Sequence, residues 1–183
     1  MIVMKKLNLL SILIFCIFSL HAQTNTSEHG FVFPLGCRAV LQIDPATKSG
    51  ICKYTVIYFE EFPEVIDTYD NENIFFKNAP KNTIQVIFTV STHGKERNEV
   101  EKNYRTSLFI KSNYAHKLKY KADILRTNAT DFSETSVMPV FNQVKTVELW
   151  PYLIQSIALY DFEIIPQSEV EKSISLKTAH DNQ

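Results

Sequence analysis

The strongest constraint on the fold is a period-two alternation of apolar and polar residues within short runs. In the clearest run the apolar positions are Leu118, Tyr120, Ala122 and Ile124, and the positions between them are Lys119, Lys121 and Asp123. Successive side chains of a β-strand point to opposite faces of the sheet, so this alternation predicts a strand with one buried and one solvated face.

Similar β-rich runs recur along the chain, separated by clusters of Asn, Asp, Pro and Ser, which favour turns. The runs are Arg38–Ile43, Ile51–Phe59, Ile74–Phe76, Thr83–Val90, Tyr104–Ile110, His116–Leu125, Ser136–Phe141 and Ile157–Ile165. No window shows a long helical period. The pattern predicts an all-β domain, specifically an antiparallel immunoglobulin-like β-sandwich of roughly 7 to 9 strands.

One of these runs, Ser136–Phe141, contains a proline at position 139. Proline has no backbone N–H to donate to a neighbouring strand, so it is confined to edge strands and bulges. An edge strand can accept an extended segment of a partner by β-augmentation. We therefore predict that Ser136–Phe141 is an edge strand and a candidate contact surface.

Glycine is scarce, with four residues in the whole chain, and it is absent after Gly94. Phosphate-binding loops and nucleophile elbows need clustered glycines, because their backbone adopts positive φ or approaches the ligand closely. The sequence therefore excludes P-loop, dinucleotide-binding and α/β-hydrolase proteins. The formal charge of -1 also gives no long-range field to attract nucleic acid, so we expect no nucleic-acid partner.

Residues 1–22 have the layout of a bacterial Sec-type signal peptide. Lys5 and Lys6 precede the apolar stretch Leu7–Leu20, and Ala22 offers a small residue for cleavage before Gln23. The stretch has about 14 residues, whereas a spanning helix needs roughly 20. We expect cleavage after Ala22, a periplasmic or secreted protein, and no transmembrane segment after cleavage.

The remaining chain is predicted to form one sandwich domain with an extension on each side. The predicted segments are a flexible N-terminal lead at 23–34, the β-sandwich at 35–166 and a C-terminal tail at 167–183. Cleavage would leave two cysteines, Cys37 and Cys52. Because an exported chain with two cysteines usually oxidises them to one disulfide, we predict a bridge between these two residues.

The sequence shows no catalytic constellation. His116 opens a predicted strand and is the one histidine considered for a hydrolase, although no serine or carboxylate partner can be assigned to it. Close His or Cys pairs typical of zinc sites are absent, and the acidic residues between Glu60 and Glu72 lack the spacing of a calcium loop. We expect a non-enzyme with no catalytic residue, no metal and no cofactor.

Two groups of residues are candidates for ligand or partner contact. Trp150, Tyr152 and Tyr160 surround the approach to the last predicted strand. Exposed, these rings could stack on a sugar; buried, Trp150 would anchor the core. Lys117, Lys119 and Lys121 share one strand face and either meet an anionic surface or protect the strand from unwanted pairing.

These features predict an exported, non-catalytic β-sandwich that acts as an interaction module for an unidentified protein partner. The alternative is a carbohydrate-binding module that uses exposed aromatic rings near Trp150, with a saccharide as its ligand. The two hypotheses differ in whether the Trp150 ring is buried.

Overall fold

The computed structural model describes residues 26–27, 30–44 and 50–166. The predicted signal peptide and the predicted C-terminal tail lie outside these residues. The described strands are β1 (Thr26–Ser27), β2 (Gly30–Pro34), β3 (Cys37–Ile43), β4 (Ile51–Cys52), β5 (Tyr54–Glu61), β6 (Ile66–Asp67), β7 (Thr83–Thr92), β8 (Arg105–Ser112), β9 (Leu118–Arg126), β10 (Ser133–Thr135), β11 (Lys145–Trp150) and β12 (Ile154–Ile164). A 3-10 turn at Glu72–Ile74 and the helix α1 (Arg97–Lys102) lie between strands. Within the described ranges, no helix has the length and apolarity that a bilayer crossing requires.

The strands form two sheets that pack face to face. Sheet A has the order β1-β2-β12-β9-β10, with β4 also paired to β12. Sheet B has the order β11-β8-β7-β3-β5, with β6 added to β7. Neighbouring strands are antiparallel except for the parallel pair of β6 and β7. The predicted all-β antiparallel sandwich is therefore confirmed, while the immunoglobulin-like strand order stays a prediction.

The main core lies between the two sheets and follows the alternation seen in the sequence. In β9 the residues Leu118, Tyr120, Ala122 and Ile124 are all buried, whereas Lys119 and Lys121 are exposed. Phe33, Phe88 and Phe162 are fully buried in the same cluster. Burial of these apolar side chains is the main favourable term in folding, at roughly 25 cal/mol per Å² removed from water.

Sheet B is also covered on its outer face by the segment between β5 and β7. Phe62, Ile66 and Phe75 of this segment pack against Ile87 and Phe109 and form a second small core. β7 and β8 are therefore buried on both faces over most of their length, including the apolar centres Val86–Phe88 and Leu108–Ile110.

The run Ile51–Phe59 is divided between the two sheets. Cys52 pairs with Phe162 in sheet A, whereas Tyr54 pairs with Ile43 in sheet B. The chain therefore crosses from one sheet to the other at Lys53, which lies between β4 and β5. Alternation along a continuous β-rich run cannot reveal such a crossing, because both halves have the same strand-like composition.

Other predicted elements also need correction. Residues 30–34, assigned to a flexible lead, form β2 against β12, with Phe33 in the core. The predicted strand Ile74–Phe76 does not form, because Ile74 ends the 3-10 turn and the next two residues belong to no strand. Ser136–Phe141 is not a strand either, but it contributes an isolated bridge at Val140. The sequence missed β11, whose residues alternate less clearly.

The predicted disulfide is not formed, since both cysteines are buried free thiols. Cys37 lies opposite Glu61 at one end of β3, whereas Ile43 at the other end lies opposite Tyr54. Cys52 precedes Tyr54, so it lies beyond that other end, roughly 20 Å from Cys37 along the strand. A disulfide needs Cα atoms within about 7 Å, so this register excludes the bridge. Burial instead raises the pKa of the Cys37 thiol to about 12.

Candidate functional site

The most open backbone surface is the edge strand β5. It pairs with β3 on one side, and no other described strand pairs with it. An edge strand of 8 residues leaves a row of unpaired N–H and C=O groups that another chain can use. Pro and Lys, which often protect such edges, are absent from Tyr54–Glu61.

Three consecutive apolar side chains are exposed in the middle of β5. The exposed fractions are 49% for Ile57, 39% for Tyr58 and 43% for Phe59. The register shifts at this point, because Val56 and Tyr58 have partners on β3 but Ile57 has none. Ile57 is therefore the extra residue of a β-bulge, which bends the strand and increases its local twist.

On the inner side, β5 contacts sheet A at its start but not along its whole length. The hydroxyl of Tyr54 donates a hydrogen bond to the Leu159 carbonyl (2.7 Å) and accepts one from the Phe31 N–H (2.8 Å). Burial raises the pKa of this tyrosine. Farther along, the Phe59 ring lies 6.2 Å from the Phe31 ring and stays partly exposed. The inner face is thus sealed at the start of β5 and open toward its end.

On the outer side, Tyr58 and Glu60 are held by neighbouring groups. The Tyr58 hydroxyl donates to Glu60 Oε2 (2.5 Å), and its ring meets the edge of Phe76 at a centroid distance of 5.2 Å. Arg38 lies 3.3 Å from Glu60 Oε1 and stacks over the Phe62 ring at 4.3 Å. The hydrogen bond to Glu60 raises the pKa of Tyr58. These contacts hold the side chains of Tyr58 and Glu60 in place on the outer face of β5.

The two ends of β5 have opposite charge. Lys53 directly precedes the strand, and Glu60 and Glu61 end it. Lys53 and Glu61 are both exposed, and neither forms an ion pair with another residue that the structure describes. The free edge of β5 therefore has a positive end, an apolar centre and a negative end.

The opposite edge of sheet B, β11, is flanked by residues 135–138, which we call the covering segment because it contacts side chains of this strand. The Met138 N–H donates to Glu148 Oε1 (2.6 Å), and the Trp150 Nε1–H donates to Thr135 Oγ1 (3.2 Å). No other described strand pairs with the backbone edge of β11. Farther on, Val140 of the run Ser136–Phe141 forms its bridge with Leu118 of β9, so this run lies along sheet A.

The structure places Trp150 in the core, with 7% of its surface exposed. The nearby Tyr152 is partly buried, and the Arg126 guanidinium lies 4.2 Å over its ring and donates to its hydroxyl at 3.2 Å. Tyr160 donates to Asp123 Oδ1 (3.0 Å). These three residues therefore offer no open aromatic platform on which a sugar ring could stack.

Each of the three candidate lysines has a local partner: Lys119 and Lys121 of β9 form ion pairs, and Lys117, just before the strand, lies over an aromatic ring. Lys119 lies 2.7 Å from Glu163, and Lys121 lies 2.9 Å from Asp161. The hydrogen bond that Lys121 Nζ donates to Asp161 Oδ2 raises the pKa of Lys121. Lys117 lies 4.6 Å over the Phe141 ring. Because each cation has a local partner, this face presents no strong positive patch to an anionic surface.

The chemistry-bearing groups considered for catalysis are not assembled into a site. His116 is exposed, and its ring meets the Tyr114 ring at 5.6 Å. No cluster of three or more His, Cys, Asp or Glu side chains that could hold a metal occurs in the described part of the chain.

Sequence reasoning missed β5 as the open edge because the run is apolar and aromatic nearly throughout, as in a central strand. The available signal was the charge at its ends, a lysine before the run and two glutamates after it. Comparison with protein-family models, with curated proteins and with solved structures finds no match for this chain.

Proposed function

We propose that this chain is an exported, non-catalytic β-sandwich protein that binds an extended segment of a protein partner along β5. The single observation that supports the proposal most is the contrast within sheet B. Thr135 and Met138 hydrogen-bond to two side chains of β11, whereas no described strand pairs with the free edge of β5, which displays Ile57, Tyr58 and Phe59. Export rests on the sequence of residues 1–22.

Binding along β5 would follow the physics of β-augmentation. The partner's main chain would supply hydrogen bonds to the free N–H and C=O groups of the edge, and apolar side chains at alternate positions would cover Phe59 and the neighbouring inner face. A basic group at one end of the segment would lie near Glu60 and Glu61. These properties define the partner as an extended peptide with alternating apolar residues and a terminal positive charge.

The carbohydrate-binding alternative has no comparable support. It requires exposed rings near Trp150, but that ring is buried and Tyr152 is covered by Arg126. We therefore do not propose a saccharide ligand at this place.

Site-specific photocrosslinking in the cells that produce the protein tests the proposal. A photoreactive side chain replaces Ile57 on β5 in one variant and Leu149 on β11 in the control, because their exposed fractions, 49% and 47%, are nearly equal. We expect a discrete protein adduct, identified by mass spectrometry, from position 57 only. The adduct should disappear when Phe59 is also changed to Lys. Equal adducts from both positions, or none from position 57, would contradict the proposal.

The export part of the proposal has its own test. Intact mass of the protein recovered from the cell envelope or medium should show a chain that begins at Gln23. A full-length chain confined to the cytoplasm would contradict export without affecting the assignment of β5.

A further inference from the structure

We infer that the segment bound by β5 is β5 of a second copy of this chain, paired antiparallel about a two-fold axis. The inference rests on the proposed role of β5 and adds the identity of its partner. A two-fold interface uses the same patch on both subunits, so the patch must be complementary to itself. Three properties of β5 satisfy this condition.

The first property is the charge at the strand ends. Antiparallel pairing brings the start of one β5, with Lys53, toward the end of the other, with Glu60 and Glu61. The two-fold axis repeats this contact at the other end. Parallel pairing would instead place the glutamates of both copies side by side, and like charges on neighbouring strands are destabilising. The charges therefore select the antiparallel arrangement.

The second property is the register that keeps the strand faces matched. Val56 and Phe59 lie opposite Leu41 and Ala39, both core residues of β3, so both belong to the inner face. A register that places Val56 of one copy opposite Phe59 of the other pairs inner face with inner face. It also places Ile57 opposite Tyr58 of the second copy. Because both copies carry the same extra residue at Ile57, the bulge does not bring the strands out of phase.

The third property is the location of the exposed apolar residues. The two-fold axis in this register passes between Ile57 and Tyr58, so the exposed centre of β5 becomes the centre of the interface. Each copy would cover the exposed parts of Ile57, Tyr58 and Phe59 of the other copy. Sheet B would then continue through two molecules, and the free edge of β5 would be paired.

In the same register, Lys53 lies diagonally across from Glu60 of the second copy, about 7 to 8 Å away between Cα atoms, within reach of a lysine side chain. Glu61 of the second copy lies opposite Tyr54, next to Lys53. Reversing the charge at either end should therefore weaken association, and reversing both ends together should restore it.

Sedimentation velocity of the full mature chain, over a range of protein concentrations, tests this inference. We expect a reversible monomer–dimer equilibrium for the native sequence. Lys53→Glu alone, or Glu61→Lys alone, should raise the dimer dissociation constant about tenfold, which corresponds to about 1.4 kcal/mol over two symmetric contacts. The double variant Lys53→Glu/Glu61→Lys should recover most of the affinity. Lys102→Glu, at the end of α1, is the matched charge-reversal control and should leave the equilibrium unchanged.

Circular dichroism spectra identical to that of the native chain show that the variants are folded. A chain that stays monomeric at all concentrations would overturn the inference, as would a dimer that ignores the charge reversals at both ends. Photocrosslinking at Ile57 separates this outcome from failure of the proposed function. An adduct with a different protein overturns self-association but keeps β5 as a binding edge, whereas the absence of any adduct overturns both.

Discussion

β5 and β11 are the two edge strands of sheet B, and they differ in what lies beside them among the described residues. At β11, Glu148 accepts a hydrogen bond from Met138, and Trp150 donates one to Thr135. Both partners belong to a segment that precedes the strand by about ten residues. At β5, the exposed Ile57, Tyr58 and Phe59 lie beside no other described strand. The two edges therefore differ in their surroundings, and we propose only β5 for binding.

The difference shows that an edge strand can be protected from within and from outside. Neither β5 nor β11 contains proline, but β11 carries Lys145, and two of its side chains hydrogen-bond to residues from another part of the chain. β5 keeps only weak protection, a bulge at Ile57 and two terminal glutamates. These features limit random aggregation while still permitting pairing with a segment of matching shape and charge.

Truncation of one aromatic side chain at each edge should separate the two environments most strongly. Trp150→Ala should lower the free energy of unfolding by about 3 to 5 kcal/mol, because it leaves a cavity in the core. Phe59→Ala should lower it by less than about 1 kcal/mol, because the ring is already partly exposed. Urea unfolding followed by circular dichroism, at a concentration that keeps the chain monomeric, measures both values.

Trp150→Phe is the control for the first variant, since it keeps an apolar ring and should recover part of the lost stability. Equal losses for Trp150→Ala and Phe59→Ala would mean that β5 is covered as completely as β11, and would remove the contrast between the edges.

A smaller effect is expected from the hydrogen bond that ties the covering segment to β11. Thr135→Ala removes the acceptor for the buried Trp150 Nε1–H and should cost about 1 to 2 kcal/mol of unfolding free energy. Thr135→Ser keeps the hydroxyl and should remain within about 0.5 kcal/mol of the native chain. If the alanine and serine variants unfold at the same urea concentration, the covering segment is not held by this bond.

The smallest effect concerns the pH dependence at Glu148. Burial raises the pKa of this carboxyl above its ordinary value of 4.5, against the opposing effect of the Met138 N–H. A pKa raised in the folded state gives stability that is complete below the unfolded-state pKa and is lost as pH rises through the folded-state pKa. The contribution of Glu148 to stability should therefore be lost as pH rises from about 4.5. Over the same interval, Glu148→Gln should show a smaller loss, or a larger gain, of unfolding free energy than the native chain. If the unfolding free energy has the same slope against pH in the two chains, burial does not raise the pKa of Glu148.

The sequence predicted the fold class well, because alternation at Leu118, Tyr120, Ala122 and Ile124 reports directly which face is buried. It failed where one run serves two sheets, as at Lys53, and where a short apolar segment such as 30–34 depends on a distant neighbour. The disulfide prediction failed for the same reason, since the distance between Cys37 and Cys52 depends on the register of β3 and β5.

The edge proposed for binding is not the one that the sequence indicated. An edge strand that accepts a partner was expected at Ser136–Phe141 because of its proline, but that run is not a strand and lies along sheet A. The lysine face was recognised correctly as the solvated side of β9, yet its pairing with Asp161 and Glu163 depends on β12 as its neighbour. The burial of Trp150 also depends on which strands pack over it.

The sequence by itself determined the all-β character of the domain and the inward face of its clearest strands. Those features follow from local backbone geometry, since side chains alternate every two residues regardless of what lies next to the strand. Only the tertiary structure decided the strand order, the separation of the two cysteines and the difference between the covered β11 and the open β5. These depend on contacts between residues far apart in the chain, which no local pattern records.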